Sequence, residues 1–331
     1  SCVALGYESG RYSQGLSAVA LGKGAGKTSQ GSNSVALGND AGWSNQSAHT
    51  VAIGNQAGYS GAQKSNAIAI GNAAGRQSQS SNAVSVGSFA GTTSQGANGV
   101  AVGYAAGSLS QGSNGIAVGG QAGQNDQMAQ AVSVGFSAGE RNQGVGSIGV
   151  GYRAGGSNQS SYCIALGYSA GYLSQAVDGI YNTSSIAIGN NTAYENQGSY
   201  SIALGHAAAR FGQSRHSIAL GYRAGCNTQG SNSIAIGNDA GFANQKFNCI
   251  AIGYGAAASA QSNGSIAIGF DSGASVQGAS NVSIGAFSGK YNQDTNSIAI
   301  GYASGYSNQG QSSISFGYEA GCSNQSDFTI A

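Results

Sequence analysis

Proline is absent from the 331 residues, and the chain carries one tryptophan, one methionine, three histidines and five cysteines. No proline-rich linker or shift in composition divides the sequence. A chain of this length could hold about two domains, but it reads as a single unit over 1–331. Charge is equally scarce. Asp, Glu, Lys and Arg make up 7% of the residues, against roughly 25% in ordinary domains, so ion pairs contribute little to the fold. The 12 Lys and Arg and the 11 Asp and Glu are scattered singly. There is no basic stripe to neutralise phosphates and no acidic tail, which argues against nucleic acid and anionic membrane surfaces as partners. No apolar run approaches the ~18 residues of a membrane span, and no signal peptide is visible.

What is present is repetition. Residues 32–46 read SNSVALGNDAGWSNQ and residues 231–245 read SNSIAIGNDAGFANQ. Aligning on the glycine that ends VALG or IAIG puts 20 glycines, from Gly6 to Gly317, in one register with a spacing of 16. Two exceptions occur: one extra residue near Gly61, and six between Gln175 and Ile186, in AVDGIYNTSS at about 176–185. A fixed short period of this kind is the mark of a solenoid. The chain opens at SCVALG and stops at FTIA, inside repeats, so a fragment is expected whose capping and targeting segments lie elsewhere.

Positions within a repeat are given as offsets from the register glycine. Offset +13 is Val or Ile, offset +15 is Leu, Ile or Val except at Phe316, and offset +14 between them is always Ala, Ser or Gly. Such alternation of β-branched and small residues predicts a short strand with one branched and one small face. A turn follows, with Gly at offset +4 in 17 of 20 copies, able to take positive φ. Ala193, Ala209 and Ala257 replace it in the other three, so positive φ is read as optional there.

Offset +8 is the most uniform polar position. It holds Gln14, Gln30, Gln46, Gln79, Gln95, Gln111, Gln127, Gln143, Gln159, Gln175, Gln197, Gln213, Gln229, Gln245, Gln261, Gln277, Gln293, Gln309 and Gln325, with Gln63 displaced by one. Stacked coils lie about 4.8 Å apart, where identical amides donate to one neighbour and accept from the other. These glutamines are therefore expected to form a ladder that closes the turn after a second strand near offsets +5 to +8. The predicted fold is all-β, a parallel β-solenoid of about 20 coils with a 16-residue repeat, forming a rod on the order of 90 Å long at that rise.

The hexapeptides NSVALG (33–38) and NSIAIG (232–237 and 296–301) resemble the NSVAIG-type motif of the YadA-like head repeat in trimeric autotransporter adhesins, and the similarity covers essentially the whole chain. The resemblance implies a left-handed β-roll, three chains packed side by side, and a surface that binds extracellular matrix or other host ligands. The chain departs from the family in its longer period, its added AG and NQ elements and its lack of a neck, heptad stalk or membrane anchor. Similar repeats look at home in viral fibre and surface proteins. Bacterial and viral origins thus both stay open.

The residues themselves leave the orientation of the strand open. Each coil has about two large aliphatic side chains, worth roughly 2 kcal/mol each when buried, against a cost of about 1.5 kcal/mol per ordered residue. Either a roll lined by Ala and Ser turns Val and Ile towards partner chains in a homotrimer, which is the expectation favoured by the resemblance, or Val and Ile fill the interior of a self-sufficient monomer.

Little in the sequence suggests chemistry. His49, His206 and His216 form no group at metal-ligand spacing, and no metal or cofactor is expected. Cys2, Cys163 and Cys249 share offset +12, Cys226 and Cys322 share offset +5, and none repeats in adjacent coils. An odd count without adjacency predicts thiols acting as small fillers, not a disulfide framework. Stretches such as GYGAAAS lack the strand-to-helix context of a phosphate loop, and the nonapeptide calcium repeat is missing. The N-x-S/T patterns at Asn45, Asn158, Asn182, Asn190, Asn263, Asn281 and Asn324 fit chance in so Asn- and Ser-rich a chain.

Variation is more informative than chemistry. Aromatics recur at offset +1, and Trp43, Tyr59, Tyr172 and Tyr306 at offset +5 are candidate contacts for a protein or glycan ligand, with packing over neighbouring turns as the alternative. The insertion adds Asp178, Ile180 and Tyr181, where solenoids often place binding loops. The expected function is a structural or adhesive surface fibre, extracellular on a cell or virion, making repeated contacts that add by multivalency. Open solenoid ends also make end-to-end stacking of copies possible. The alternative of another class is a monomeric ice- or crystal-surface-binding solenoid, against which stands the mixture of residue types at offsets +5 and +6. An enzyme is not expected, because near-equivalent coils give no place where a unique acid, base and nucleophile converge.

Overall fold

The computed structural model describes residues 1–61, 63–176 and 184–331. It is all-β with no helix among the described residues and forms two compact units, Ser1–Cys163 and Ile164–Ala331. Each unit is a parallel β-solenoid. In each, one sheet is built from the VAL/IAI strands and a second from the segments that end in Gln, so most coils have two strands of three residues joined by turns. The second strand occupies offsets +6 to +8, as in Thr28–Gln30 and Ser307–Gln309.

Register is held one repeat at a time. In the first unit Val19, Ala20 and Leu21 pair with Val35, Ala36 and Leu37; in the second, Ile234, Ala235 and Ile236 pair with Ile250, Ala251 and Ile252. The extra residue near Gly61 is absorbed in the second sheet of the first unit, where only the bridges Gln46–Gln63 and Ser60–Gln77 cross it. The VAL sheet is undisturbed there, since Val51 pairs directly with Ile68. In the second unit Ile164 pairs with Ile186, and Leu173 with Glu195, so the strands on either side of the six-residue insertion stay in register.

The turns rest on positive φ at five offsets. In the coil from Gly237 these are Gly237 (φ 130), Asp239 (φ 54), Gly241 (φ 54), Asn244 (φ 53) and Asn248 (φ 59). Asn and Asp tolerate the left-handed region better than other side chains, but at offset +2 the stack imposes it on whatever residue is placed there, including Arg153, Phe89 and Phe287. This corrects one expectation. Ala193, Ala209 and Ala257 keep φ values of 45, 48 and 48, so positive φ is compulsory at offset +4 and alanine bears the strain. The register glycine has a second constraint. A Cβ on Gly237 would stand 2.5 Å from the Gly253 carbonyl oxygen of the next coil, so no side chain fits.

The strand orientation is also settled, and the alternative in which Val and Ile fill the interior is overturned. The small residues at offset +14 face inward, with Ala20, Ala36 and Ala235 fully buried. Alanines at offset +3, such as Ala25, Ala41 and Ala240, complete the same wall. The branched residues face out, and Leu204 and Leu220 keep 40% and 38% of their surface exposed. With walls of Ala and Ser the interior is too narrow for a large aliphatic side chain. The largest fully buried side chains are glutamines.

Most of the glutamine amides work in two directions. Gln111 Nε2 donates to the Val100 carbonyl across the interior (2.9 Å) and to Gln127 Oε1 of the next coil (3.0 Å), while its own Oε1 accepts from Gln95 Nε2 (3.0 Å). Where offset +14 is Ser, its hydroxyl donates to the glutamine oxygen, as from Ser133 to Gln143 (2.6 Å) and Ser283 to Gln293 (2.6 Å). The column is interrupted at Gln46 and Gln245, whose Oε1 atoms lack a partner.

Two predictions follow from this packing, both read by urea or thermal unfolding. Gly237→Ala is expected to destabilise by at least about 3 kcal/mol, the upper range for a forced backbone conformation, whereas Ala209→Gly is expected to stabilise by about 0.5–1 kcal/mol, relief of strain less the glycine entropy term. Gln111→Leu removes the donor to the Val100 carbonyl and leaves the Gln127 oxygen without its amide donor, and is expected to cost at least about 2 kcal/mol; a neutral effect would contradict the ladder.

Candidate functional surface

With the interior filled mainly by Ala, Ser and Gln, most of the variation lies on the outside. The exposed strips that bear on the candidate contacts are the aliphatic sheet, the offset +1 corner and the offset +5 column.

At offset +5 of the first unit, aromatic and cationic side chains of successive coils interleave. Lys27 Nζ stands 4.1 Å from the Trp43 ring centroid, Trp43 and Tyr59 lie 5.7 Å apart, and the Arg76 guanidinium is 5.6 Å from the Tyr59 ring. Lys27 also pairs with Glu8 (Nζ to Oε2, 2.6 Å), and this hydrogen bond, with help from Arg11, holds the Glu8 carboxyl below its ordinary value. In the second unit Tyr172 and Tyr194 stack at 5.2 Å, and Tyr291 meets Tyr306 edge-on at 5.3 Å. Burial and a hydrogen bond with Tyr291 raise the Tyr306 pKa. Lys290 packs over Tyr291 and bonds Asp271 (3.1 Å); burial works against its charge, but Asp271 outweighs that and raises its pKa.

Trp43, Tyr59, Tyr172 and Tyr306 are thus all half-buried against neighbouring coils, with the edges of their rings available. The structure does not gather them into one site: Trp43 and Tyr59 touch in the first unit, and Tyr172 and Tyr306 take different partners in the second. Asp178, Ile180 and Tyr181 lie outside the described residues. The cations that cap these stacks escaped the sequence reading, although their signal was present as a basic residue one repeat away from an aromatic at the same offset, as in Lys27/Trp43 and Tyr194/Arg210.

The offset +1 corner is more open. Tyr254, Phe270, Tyr302 and Tyr318 at offset +1, joined by Phe287 at offset +2, form a continuous run of ring contacts at 5.1–5.8 Å. Where the corner carries Asn, external amide ladders replace the rings, as from Asn39 through Asn55 to Asn72 at 3.1 Å. Beside the aromatic run, Phe287, Tyr302, Tyr306, Glu319 and Cys322 line a hollow of about 490 Å³. A second hollow, of about 410 Å³, is lined by His206, Arg210, Phe211, Tyr222, Arg223, Cys226 and Phe242, among others.

No group of three or more His, Cys, Asp or Glu residues is placed to hold a metal ion among the described residues, and no helix there is long and apolar enough to cross a membrane. His206 stacks on Tyr222 (5.3 Å) and His216 on Tyr200 (5.3 Å). The cysteines form no disulfide. Cys249 is a buried filler whose thiol donates to the Ser262 carbonyl (3.0 Å), and burial pushes the Cys226 and Cys249 thiols up. Since the thiolate is the reactive form, a maleimide probe on native protein is expected to label exposed Cys2 and Cys322 well before Cys226 and Cys249. Peptide mass mapping reads the order, and fast labelling of Cys249 would contradict the packing.

No protein-family model, curated protein or solved structure matches the chain.

Proposed function

We propose that the chain is the repetitive, contact-presenting part of an extracellular fibre protein whose copies associate, as three chains, through the aliphatic sheet. The observation that carries this reading is the outward direction of the Val, Ile and Leu ladder. A strip without a single charged residue, formed by offsets +13 and +15, faces outward along each unit. Contiguous apolar surface of that kind favours a protein partner. An identical copy offers the same spacing of side chains, and each Leu or Ile covered contributes up to about 2 kcal/mol. Three chains follow from the resemblance to YadA-like heads. A cell or virion surface is the corresponding location, and the offset +1 and +5 strips are the surfaces that would meet protein or glycan ligands.

The test is native mass by light scattering over a dilution series. The expected result is a concentration-independent mass of three chains, and the Leu204→Lys, Leu220→Lys double variant is expected to fall to one chain with its circular dichroism unchanged. A stable single chain for the unsubstituted protein would overturn the reading and favour a self-contained solenoid, for which thermal hysteresis becomes the next assay.

A further inference from the structure

In the second unit the offset +5 column runs Tyr194, Arg210, Cys226, Phe242. Three of these side chains are long and one is short. Cys226, only 6% exposed, therefore leaves a notch between the Arg210 and Phe242 coils, and this notch is part of the hollow of about 410 Å³. Its size lies at the low end of ligand pockets, about 300–1,000 Å³, which suits a ligand of one ring.

Two guanidinium groups from adjacent coils line the notch. The Arg223 guanidinium lies 4.2 Å from the Phe242 ring centroid, with Nε 3.1 Å from Asp239 Oδ1. That is a charge contact without hydrogen-bond alignment, because Asp239 Oδ1 has no hydrogen-bond partner. Arg210 is different. It rests against Phe211 (4.8 Å) and Tyr194 (6.0 Å), its Nε is buried without a hydrogen-bond partner, and no ion pair among the described residues includes it. A guanidinium held in place by rings, partly desolvated and lacking an anion, is pre-set to bind one, and its planar fork matches carboxylate and sulfate oxygens. The remaining walls supply aromatic surface from Phe211, Tyr222 and Phe242 and polar groups from His206 and Asn227. Aromatic walls with polar tips suit the C–H faces and hydroxyls of a sugar ring.

We propose that this notch binds a pyranose bearing an anionic group, a carboxylate or a sulfate, with the anion on Arg210 and the ring between the aromatic walls. The site needs only the second unit; that its ligand comes from a surface glycan rests on the surface-fibre reading above.

The test is calorimetric titration of the full chain with methyl glucuronide, galactose 6-sulfate, galactose and sodium sulfate. At least one charged sugar is expected to bind about tenfold or more tightly than both galactose and sulfate, the ratio expected for one charge-assisted hydrogen-bonded contact. Arg210→Gln is expected to remove that advantage, and Cys226→Phe to abolish binding by filling the notch with a side chain the column already carries at Phe242, circular dichroism confirming that both variants fold. Equal binding of galactose, equal binding of inorganic sulfate, no binding of any probe, or binding that survives both substitutions would each overturn the proposal. The mass measurement is independent of all four outcomes, so failure here and failure of the fibre reading are separable.

Discussion

Within each unit a buried carboxamide bonds most coils to the next and ties the two sheets of a coil to one another. Gln is the side chain that can do both. It is long enough to cross a narrow interior, it donates to a strand carbonyl on the far side, as Gln30 does to Val19 (2.9 Å), and it still accepts from a neighbouring amide. A leucine of similar reach would satisfy neither polar edge, and burying unmatched backbone or amide groups costs about 1–3 kcal/mol each. The 16-residue period follows, because the amides meet only if every coil returns to the same register.

That choice of interior inverts the usual placement of apolar residues. With Gln and Ala inside, there is no room for Val, Ile or Leu, and their alternation puts them on the opposite face of the strand. Stability of a single coil then comes from backbone ladders and in-register side-chain contacts rather than from a wide apolar core. The outside of the chain is correspondingly rich in ladders: aliphatic, aromatic, Asn and cation-capped. Apart from its positions of insertion, the protein is a set of columns, and function is to be sought where a column changes character. The Cys226 notch is one such place, where a short residue interrupts Arg210 and Phe242.

Much of the fold was legible in the sequence. The SIAIG and SVALG strings marked the strand, and the spacing of 16 marked the stacking. The second strand lies at offsets +6 to +8, within the stretch expected for it. Orientation was not legible, because a period of two shows which residues share a face without showing which face is inside, and Ala or Val could each have filled an interior of unknown width. Nor could propensity show that Ala209 or Phe287 would take positive φ; in-register stacking overrides local preference there. Of the candidate contacts, Trp43 was visible as a variable aromatic, but its cationic neighbour Lys27 emerges only when coils 16 residues apart are laid on one another. Arg210 stood out in no motif, and its significance comes from what is absent around it.

The claim on which the rest stands is that the offset +8 amides are interior and bonded from coil to coil. Side-chain amide hydrogen exchange, followed by 15N–1H NMR on uniformly labelled protein, tests it directly. The account predicts that Nε2 protons of Gln79, Gln95, Gln111 and their counterparts, buried to within 2%, exchange as slowly as strand backbone amides, while those of exposed Gln77, Gln130 and Gln311 exchange at the rate of free glutamine. Equally fast exchange for both groups would contradict it.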